Sequence, residues 1–287
     1  MRTHLRAAAG TVAVMVLLCL AASLHGQFAS GIRLVEVYVT VTDRHGQPVG
    51  GLSRSDFHVS EDGRPQTITA FAAGEFPLAV AIAIDRSFSM GERVSAARAA
   101  ARAFVGALEP DDLVMVVAIG SDTQVTAPLT ADHRQAFDAI DRLDRWGTTP
   151  LYDATVAAID DIQQAKGRRA LVLLSDGTDR YSRTSSTELL QHARDNDVLV
   201  YPVAMSRPRP PIFAELAAAT GGRSFHEEAP ARLQTTMTTI ARELRSQYLL
   251  GYAPAQDAPG ARQWRTIEVG VNRTGVTVRA RDGYWSR

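Results

Sequence analysis

The chain has 287 residues, enough for one large domain or for a medium domain with a small companion. Its hydrophobic residues make up 45% and its charged residues 22%, which excludes a wholly disordered or collagen-like chain. Basic and acidic residues balance at 31 each, so binding of nucleic acid through a bulk positive field is disfavoured.

The first predicted element, residues 1–27, has the order of a secretory signal peptide. Arg2 and Arg6 precede an apolar run of about 16 residues, Ala7 to Ala22, which small and polar residues follow. A membrane-spanning helix needs about 20 apolar residues, so we expect cleavage and no stable membrane span, with an uncleaved anchor as the alternative. Cys19, the only cysteine, lies in this segment, which excludes an intramolecular disulfide framework and a cysteine zinc cluster. We therefore expect an exported protein, periplasmic or secreted, that is membrane-anchored if the signal is not cleaved.

Short strands are predicted in residues 30–75 and again in residues 247–287. The N-terminal set comprises Val35–Thr42, Phe57–Ser60 and Gln66–Phe71. The C-terminal set comprises Tyr248–Tyr252, Thr266–Val271 and Val276–Arg279. Asn272–Gly275 between the last two strands is a hairpin signal. Because three short strands cannot bury much of a core alone, we expect both chain ends to meet in one small β-module.

Residues 76–246 alternate between apolar strands and helical segments. The predicted strands are Leu78–Ile84, Leu113–Ile119, Gln124–Pro128, Ala170–Leu174 and Val198–Met205. The predicted helices are Glu92–Leu108, Asp132–Leu143, Leu151–Ala165, Ser185–Asn196, Ile212–Thr220 and Ala231–Arg245. Such alternation is typical of a parallel sheet. We predict an α/β fold with a doubly wound, mainly parallel sheet, helices on both faces, and the small β-module beside it.

Oxygen-bearing side chains stand near three ends of these predicted elements. Asp85, Ser87 and Ser89 follow the first buried strand at alternate positions. Thr149 stands just before a helix, and Asp176 follows a later strand. Open parallel sheets bind ligands at the carboxyl ends of their strands. Carboxylate and hydroxyl oxygens suit Mg²⁺, Mn²⁺ or Ca²⁺ better than zinc or copper, so the pattern predicts a divalent-cation site.

These motifs resemble the metal-ion-dependent adhesion site of von Willebrand factor type A (VWFA) domains. The matching parts are Asp-x-Ser-x-Ser, a Gly-Thr-Thr loop that opens a helix, and strand-Ser-Asp-Gly, in the family's order. The flanking motifs resemble exported bacterial VWFA-related proteins of the Acidobacteria type. The resemblance implies a Rossmann-like domain that holds a divalent cation, Mg²⁺ first and Mn²⁺ or Ca²⁺ otherwise. The five implied ligands are Asp85, Ser87, Ser89, Thr149 and Asp176.

The same resemblance implies that the cation bridges to a protein or peptide partner offering a Glu or Asp side chain. Phe88 stands between the two serines, where the family often has glycine. If exposed, it would narrow access or contact the partner; otherwise it packs under the loop. Arg86 is the second candidate for contact with the partner.

Two other functions stay open at this point. One is a structural or scaffold role in which the β-module makes the contacts, to be tested at Val39 and Tyr252. The other is a metal-dependent phosphohydrolase of the haloacid-dehalogenase kind, which also places an Asp after its first strand. That chemistry needs a second Asp two residues later, where this chain has Ser87. We therefore expect a binding module and not an enzyme.

Overall fold

The computed structural model describes residues 34–74, 77–254 and 262–286, so the predicted signal segment lies outside the described residues. Its strands are β1 (Val35–Asp43), β2 (Phe57–Glu61), β3 (Arg64–Gln66), β4 (Ile68–Ala73), β5 (Leu78–Asp85), β6 (Leu113–Ile119), β7 (Thr123–Thr130), β8 (Arg168–Ser175), β9 (Leu199–Ala204), β10 (Phe225–His226), β11 (Tyr248–Tyr252), β12 (Trp264–Val271), β13 (Val276–Arg279) and β14 (Gly283–Trp285). Its helices are α1 (Arg93–Val105), α2 (His133–Asp141), α3 (Leu151–Gln163), α4 (Ser186–Asp195), α5 (Pro211–Thr220) and α6 (Pro230–Arg245). Within these ranges, no helix combines the length and the apolar character that crossing a membrane requires.

The central sheet has six strands in the order β10-β9-β8-β5-β6-β7. Neighbouring strands are parallel except at one edge, where β7 runs antiparallel to β6. Every residue of β5 is buried, as expected of a strand that is covered on both faces. Helices α1, α2 and α6 pack on one face, and α3, α4 and α5 pack on the other. The predicted doubly wound, mainly parallel α/β fold is therefore confirmed.

Strands from both ends of the described chain form two further antiparallel sheets. Their orders are β13-β1-β11-β4 and β14-β12-β2-β3. The two sheets share one apolar core, to which β1 contributes Val39, β2 contributes Phe57 and β11 contributes Tyr252. The β-module built from both chain ends is thus a two-sheet sandwich rather than a single sheet. Val39 and Tyr252 are fully buried in its core, so neither can serve as the contact residue considered above.

Two predicted details of the sandwich are wrong. The hairpin signal at Asn272–Gly275 does not join paired strands, because β12 lies between β14 and β2 whereas β13 pairs with β1. The single strand predicted over Gln66–Phe71 is interrupted at Thr67, so β3 pairs with β2 and β4 pairs with β11. Alternation indicates which face of a strand is buried, but it does not identify the neighbouring strand.

Strand β1 is buried on both faces, although its alternation predicts a half-buried strand. Its valines enter the sandwich core, whereas Tyr38 belongs to the core under the central sheet. The hydroxyl of Thr40 accepts a hydrogen bond of 2.9 Å from Nε2 of Gln247, so the polar face of β1 is satisfied inside the protein. The described residues from Val35 onward form one compact unit. The division at residues 75 and 246 remains an interpretation of the sequence.

Candidate metal centre

The candidate site lies at the carboxyl edge of the central sheet, where the chain connections diverge. After β5 the chain continues to the β6 side, and it later returns to β8 on the opposite side of β5. The helices that follow these two strands, α1 and α4, cover opposite faces. A crevice therefore opens between the loops after β5 and β8, and open α/β sheets bind ligands at such switch points. Asp85 ends β5, and Asp176 directly follows β8.

Asp85 is held by both of its carboxylate oxygens. Its Oδ1 accepts the backbone N–H of Ser87 at 2.9 Å, and its Oδ2 accepts the hydroxyl of Ser175 at 2.6 Å. Burial raises the pKa of Asp85, against these hydrogen bonds that lower it, and the charge of Asp176 raises it further. A fully buried carboxylate of this kind is stabilised by any cation placed beside it.

The other predicted ligands come to the same edge of the sheet. Ser87 is buried, and its hydroxyl oxygen lies 3.1 Å from that of the exposed Ser89. Thr149 is buried just before α3. Asp176 is 7% exposed, and its Oδ1 accepts the backbone N–H of Thr178 at 2.9 Å.

Backbone hydrogen bonds join the three loops that carry these residues. The N–H of Phe88 donates to the carbonyl of Gly147 at 3.0 Å, that of Trp146 donates to Arg86 at 2.7 Å, and that of Arg180 donates to Thr149 at 2.7 Å. The five predicted ligands therefore stand on one connected frame at the carboxyl edge of the sheet.

Two glycines allow the loops to approach so closely. Gly147 has φ +83°, and a Cβ there would lie 2.3 Å from the amide nitrogen of Ser121. Gly177 has φ +77°, and a Cβ there would lie 2.0 Å from Cγ of Pro210. Both positions combine a left-handed backbone with a contact that excludes any side chain, so only glycine fits without a shift of the loop.

The donor set fits a small divalent cation. All five side chains offer oxygen, the ligand that Mg²⁺ and Ca²⁺ prefer. The 3.1 Å between the Ser87 and Ser89 hydroxyls is close to the roughly 3 Å that separates adjacent ligands of an octahedral ion with bonds of 2.0–2.1 Å. In the described part of the chain, no group of three or more His, Cys, Asp or Glu side chains is placed to hold a metal ion. At this site, hydroxyl groups would have to supply most of the protein ligands.

Two residues of the site were missed by the sequence reasoning. Ser175 holds Asp85, and the only signal for it is its place beside Asp176 in the strand-Ser-Asp-Gly motif. Arg93, at the start of α1, places Nη1 3.6 Å from Oδ2 of Asp176. A cavity of about 630 Å³ opens beside this pair, and its lining includes Ser206 and Arg207. The arginine has no signal in the local sequence, because its contact joins elements far apart along the chain.

The structure separates the two candidates for partner contact. Phe88 is 62% exposed, so it does not pack under its loop and is free to contact a partner. Arg86 is engaged within the chain: its guanidinium carbon lies 5.1 Å from the ring centre of Trp146, and its Nη2 donates to Oε1 of Gln124 at 3.2 Å.

Comparisons with known proteins agree with this fold. A sequence model described as von Willebrand factor type A domain matches residues 80–178. The structure of a von Willebrand factor type A protein from Catenulispora acidiphila aligns with a TM-score of 0.54 at 16% identity, covering 80% of this chain and 74% of that one. The vWF domain of the type V pili tip protein Mfa5 from Porphyromonas gingivalis aligns with a TM-score of 0.51 at 12% identity, covering 60% and 96%. A mutant of the PilB minor pilin from Streptococcus sanguinis aligns with a TM-score of 0.50 at 14% identity, covering 60% and 62%. No curated protein matches the chain by sequence.

Proposed function

Because residues 80–178 belong to the von Willebrand factor type A domain family, we propose that this chain is a protein-binding module that holds an acidic side chain of its partner through a divalent cation. The observation that carries the proposal is the set of hydroxyl and carboxylate oxygens gathered at the switch point of the sheet. We propose Mg²⁺ as the cation, with Mn²⁺ or Ca²⁺ as alternatives. The predicted signal segment supports an exported location, periplasmic or extracellular.

In this mechanism the hydroxyls of Ser87, Ser89 and Thr149 would hold the cation, and Asp85 and Asp176 would stabilise it from close by or through water. Ser175 keeps Asp85 in one orientation through its hydroxyl. When bound, the cation supplies a position for one oxygen of an incoming carboxylate. The two carboxylates of the site leave little negative charge to repel that group, since Arg93 already pairs with one of them.

We also propose that the site is not catalytic. A phosphohydrolase of the type considered above needs its first Asp free to attack phosphorus. Asp85 is fully buried, and both of its oxygens accept hydrogen bonds. Ser87 stands where the acid/base carboxylate of that chemistry would be.

The proteins of similar structure include two pilus proteins. Mfa5 is a type V pili tip protein and PilB is a minor pilin, which are both parts of pili. A binding module outside the cytoplasm accords with that setting.

The first experiment is calorimetric titration of the protein with Mg²⁺, Mn²⁺ and Ca²⁺. We expect saturable binding that weakens at least about tenfold in Ser87→Ala, because one ligand oxygen is lost. Ser55→Ala is the matched control, since Ser55 is exposed on the sandwich, and it should bind as the wild type does. Equal affinity in Ser87→Ala, or no binding of any of the three ions by the wild type, contradicts the proposed site.

A further inference from the structure

Large hydrophobic side chains are exposed around the candidate metal centre. Among the described residues, those exposed include Phe88 at 62%, Trp146 at 42% and Tyr181 at 78%. Each stands on a different one of the three loops that carry the predicted ligands. We call these three residues the aromatic rim. Exposed aromatic side chains gathered at one site mark an interaction surface more often than scattered single ones do.

Backbone hydrogen bonds join the loops that carry the aromatic rim to one another and to the loop of Thr149. Phe88 is bonded to Gly147, the residue after Trp146. Arg180, the residue before Tyr181, is bonded to Thr149. Phe88 also lies between Ser87 and Ser89 in the chain, and Trp146 stands three positions before Thr149, so the rim borders the predicted ligands.

Tyr181 is presented by a loop that leaves it little freedom. Its φ is +72°, a region that bulky residues rarely adopt and that persists only where the surroundings enforce it. Two carboxylates brace the loop against α3. Asp179 accepts the N–H of Tyr152 at 3.1 Å and the hydroxyl of Ser182 at 2.5 Å, and Asp153 accepts the N–H groups of Arg183 and Thr184 at 2.9 Å. The structure thus fixes a strained backbone while it leaves the ring in solvent.

Trp146 is fixed as well, because the guanidinium of Arg86 lies over its ring. Rigid aromatic side chains lose little conformational entropy when they are covered by a partner, which makes them efficient contact residues. Tyr, Trp and Arg are also the residue types in which binding hot spots are enriched.

The charges of the surface indicate what the partner offers. Arg86 lies over the rim and Arg93 lies beside Asp176, so both add positive charge next to a site that itself would hold a cation. The apolar rings beside this charge favour a ligand that has a carboxylate and an apolar side chain close together. An extended protein segment with Asp or Glu next to Leu, Ile, Val or Pro has that chemistry.

We propose that Phe88, Trp146 and Tyr181 form the surface that receives the apolar side chains flanking the partner's acidic residue. This inference rests on the proposed metal-bridged function and names the partner's chemistry more closely. The cation determines that a carboxylate binds, and the aromatic rim selects which carboxylate-bearing segment binds.

The test is selection of a phage-displayed library of random peptides on the immobilised protein in Mg²⁺, with elution by EDTA. We expect the eluted peptides to carry Asp or Glu with an aliphatic residue or proline beside it. A synthetic peptide of the selected sequence should bind Phe88→Ser and Tyr181→Asn about tenfold or more weakly, whereas Mg²⁺ affinity stays at the wild-type value. Asn is chosen at position 181 because it tolerates a positive φ.

The control is Leu34→Ser, which removes an exposed apolar side chain directly before β1 and should bind the peptide normally. Wild-type peptide affinity in both rim variants overturns the inference but leaves the metal-bridged function standing, provided that Thr149→Ala abolishes binding. Selected peptides that carry no apolar residue beside the Asp or Glu also overturn the inference.

Failure to recover any EDTA-sensitive peptide contradicts the proposed peptide ligand. Metal-dependent binding to a glycan array instead would replace it with a carbohydrate ligand. Absence of metal binding by the wild type removes the proposed function itself.

Discussion

At the scale of single residues, the candidate metal centre contains two acidic side chains and one arginine that lies close to one of them. The carboxylate of Asp85 accepts hydrogen bonds from Ser87 and Ser175, whereas Oδ2 of Asp176 lies 3.6 Å from Nη1 of Arg93. Nη1 of Arg93 is buried and makes no hydrogen bond within the described part of the chain. The guanidinium therefore stands where a cation would compete with it for Asp176.

We expect Arg93→Gln to bind Mg²⁺ severalfold more tightly than the wild type, because a like charge next to the ion is removed. Calorimetric titration of both proteins at the same ionic strength measures the change. Arg102→Gln is the control: it lies on the same helix but pairs with Asp141, and it should leave the affinity unaltered. A weaker affinity in Arg93→Gln would mean instead that the arginine orients Asp176 for the ion.

At the scale of elements, the site depends on loops whose close contacts require glycine. We expect Gly147→Ala to lower the free energy of unfolding by roughly 1–3 kcal/mol and to weaken Mg²⁺ binding. The added methyl group would meet the backbone of Ser121, and Thr149 lies two residues further along the displaced loop. Urea unfolding and metal titration of the same variant report the two effects separately.

Gly275→Ala is the matched control for the free-energy cost of the left-handed backbone alone. Gly275 has φ +72°, and a Cβ there has open space around it. Its substitution should cost only about 1 kcal/mol for the left-handed conformation and should not affect metal binding. Equal losses of unfolding free energy in Gly147→Ala and Gly275→Ala would show that the contact with Ser121 contributes nothing to stability.

Features that are encoded by neighbouring residues could be predicted from the sequence, whereas those that depend on contacts between distant residues could not. The strand ends that carry Asp85 and Asp176, and the helix start beside Thr149, are marked by local patterns, so the fold class and the place of the site follow from them. The pairing of β12 with β2 joins residues more than 200 positions apart, and the break at Thr67 depends on β11, more than 170 positions further along the chain. No turn signal encodes such pairings. Arg93 and Tyr181 were missed for the same reason, since only the folded chain brings them to the metal centre.

At the scale of the whole molecule, buried tyrosines link the layers. Tyr201 lies in the central core, and its hydroxyl accepts a bond from Gln247, which also reaches β1. Tyr252 in the sandwich donates its hydroxyl to Glu61 at 2.8 Å. Burial raises the pKa of Tyr201 and of Tyr252, and it raises the pKa of Tyr38 to about 12.

These shifts predict a loss of stability in alkali. The folded state keeps its tyrosine protons at pH values where the unfolded state, with pKa near 10, loses them. The stabilisation is therefore complete below about pH 10 and decreases above it, by up to about 1.4 kcal/mol per pH unit for each such tyrosine. Urea unfolding at pH 8, 10 and 11 measures this slope. Tyr201→Phe should make it shallower, and a flat profile in the wild type would contradict the prediction.

The long-range pairing of β1 has a consequence for the order in which the protein folds. Val35 lies opposite Tyr252, so β1 leaves the ribosome more than 200 residues before the strand that will cover its edge. Until then its valines and its unpaired backbone groups are open to other chains, the condition under which strands aggregate. Closing so long a loop is slow compared with forming the local strand–helix units of the central sheet. The central domain can therefore assemble first, and the sandwich closes last, once β11 and β13 have arrived on either side of β1.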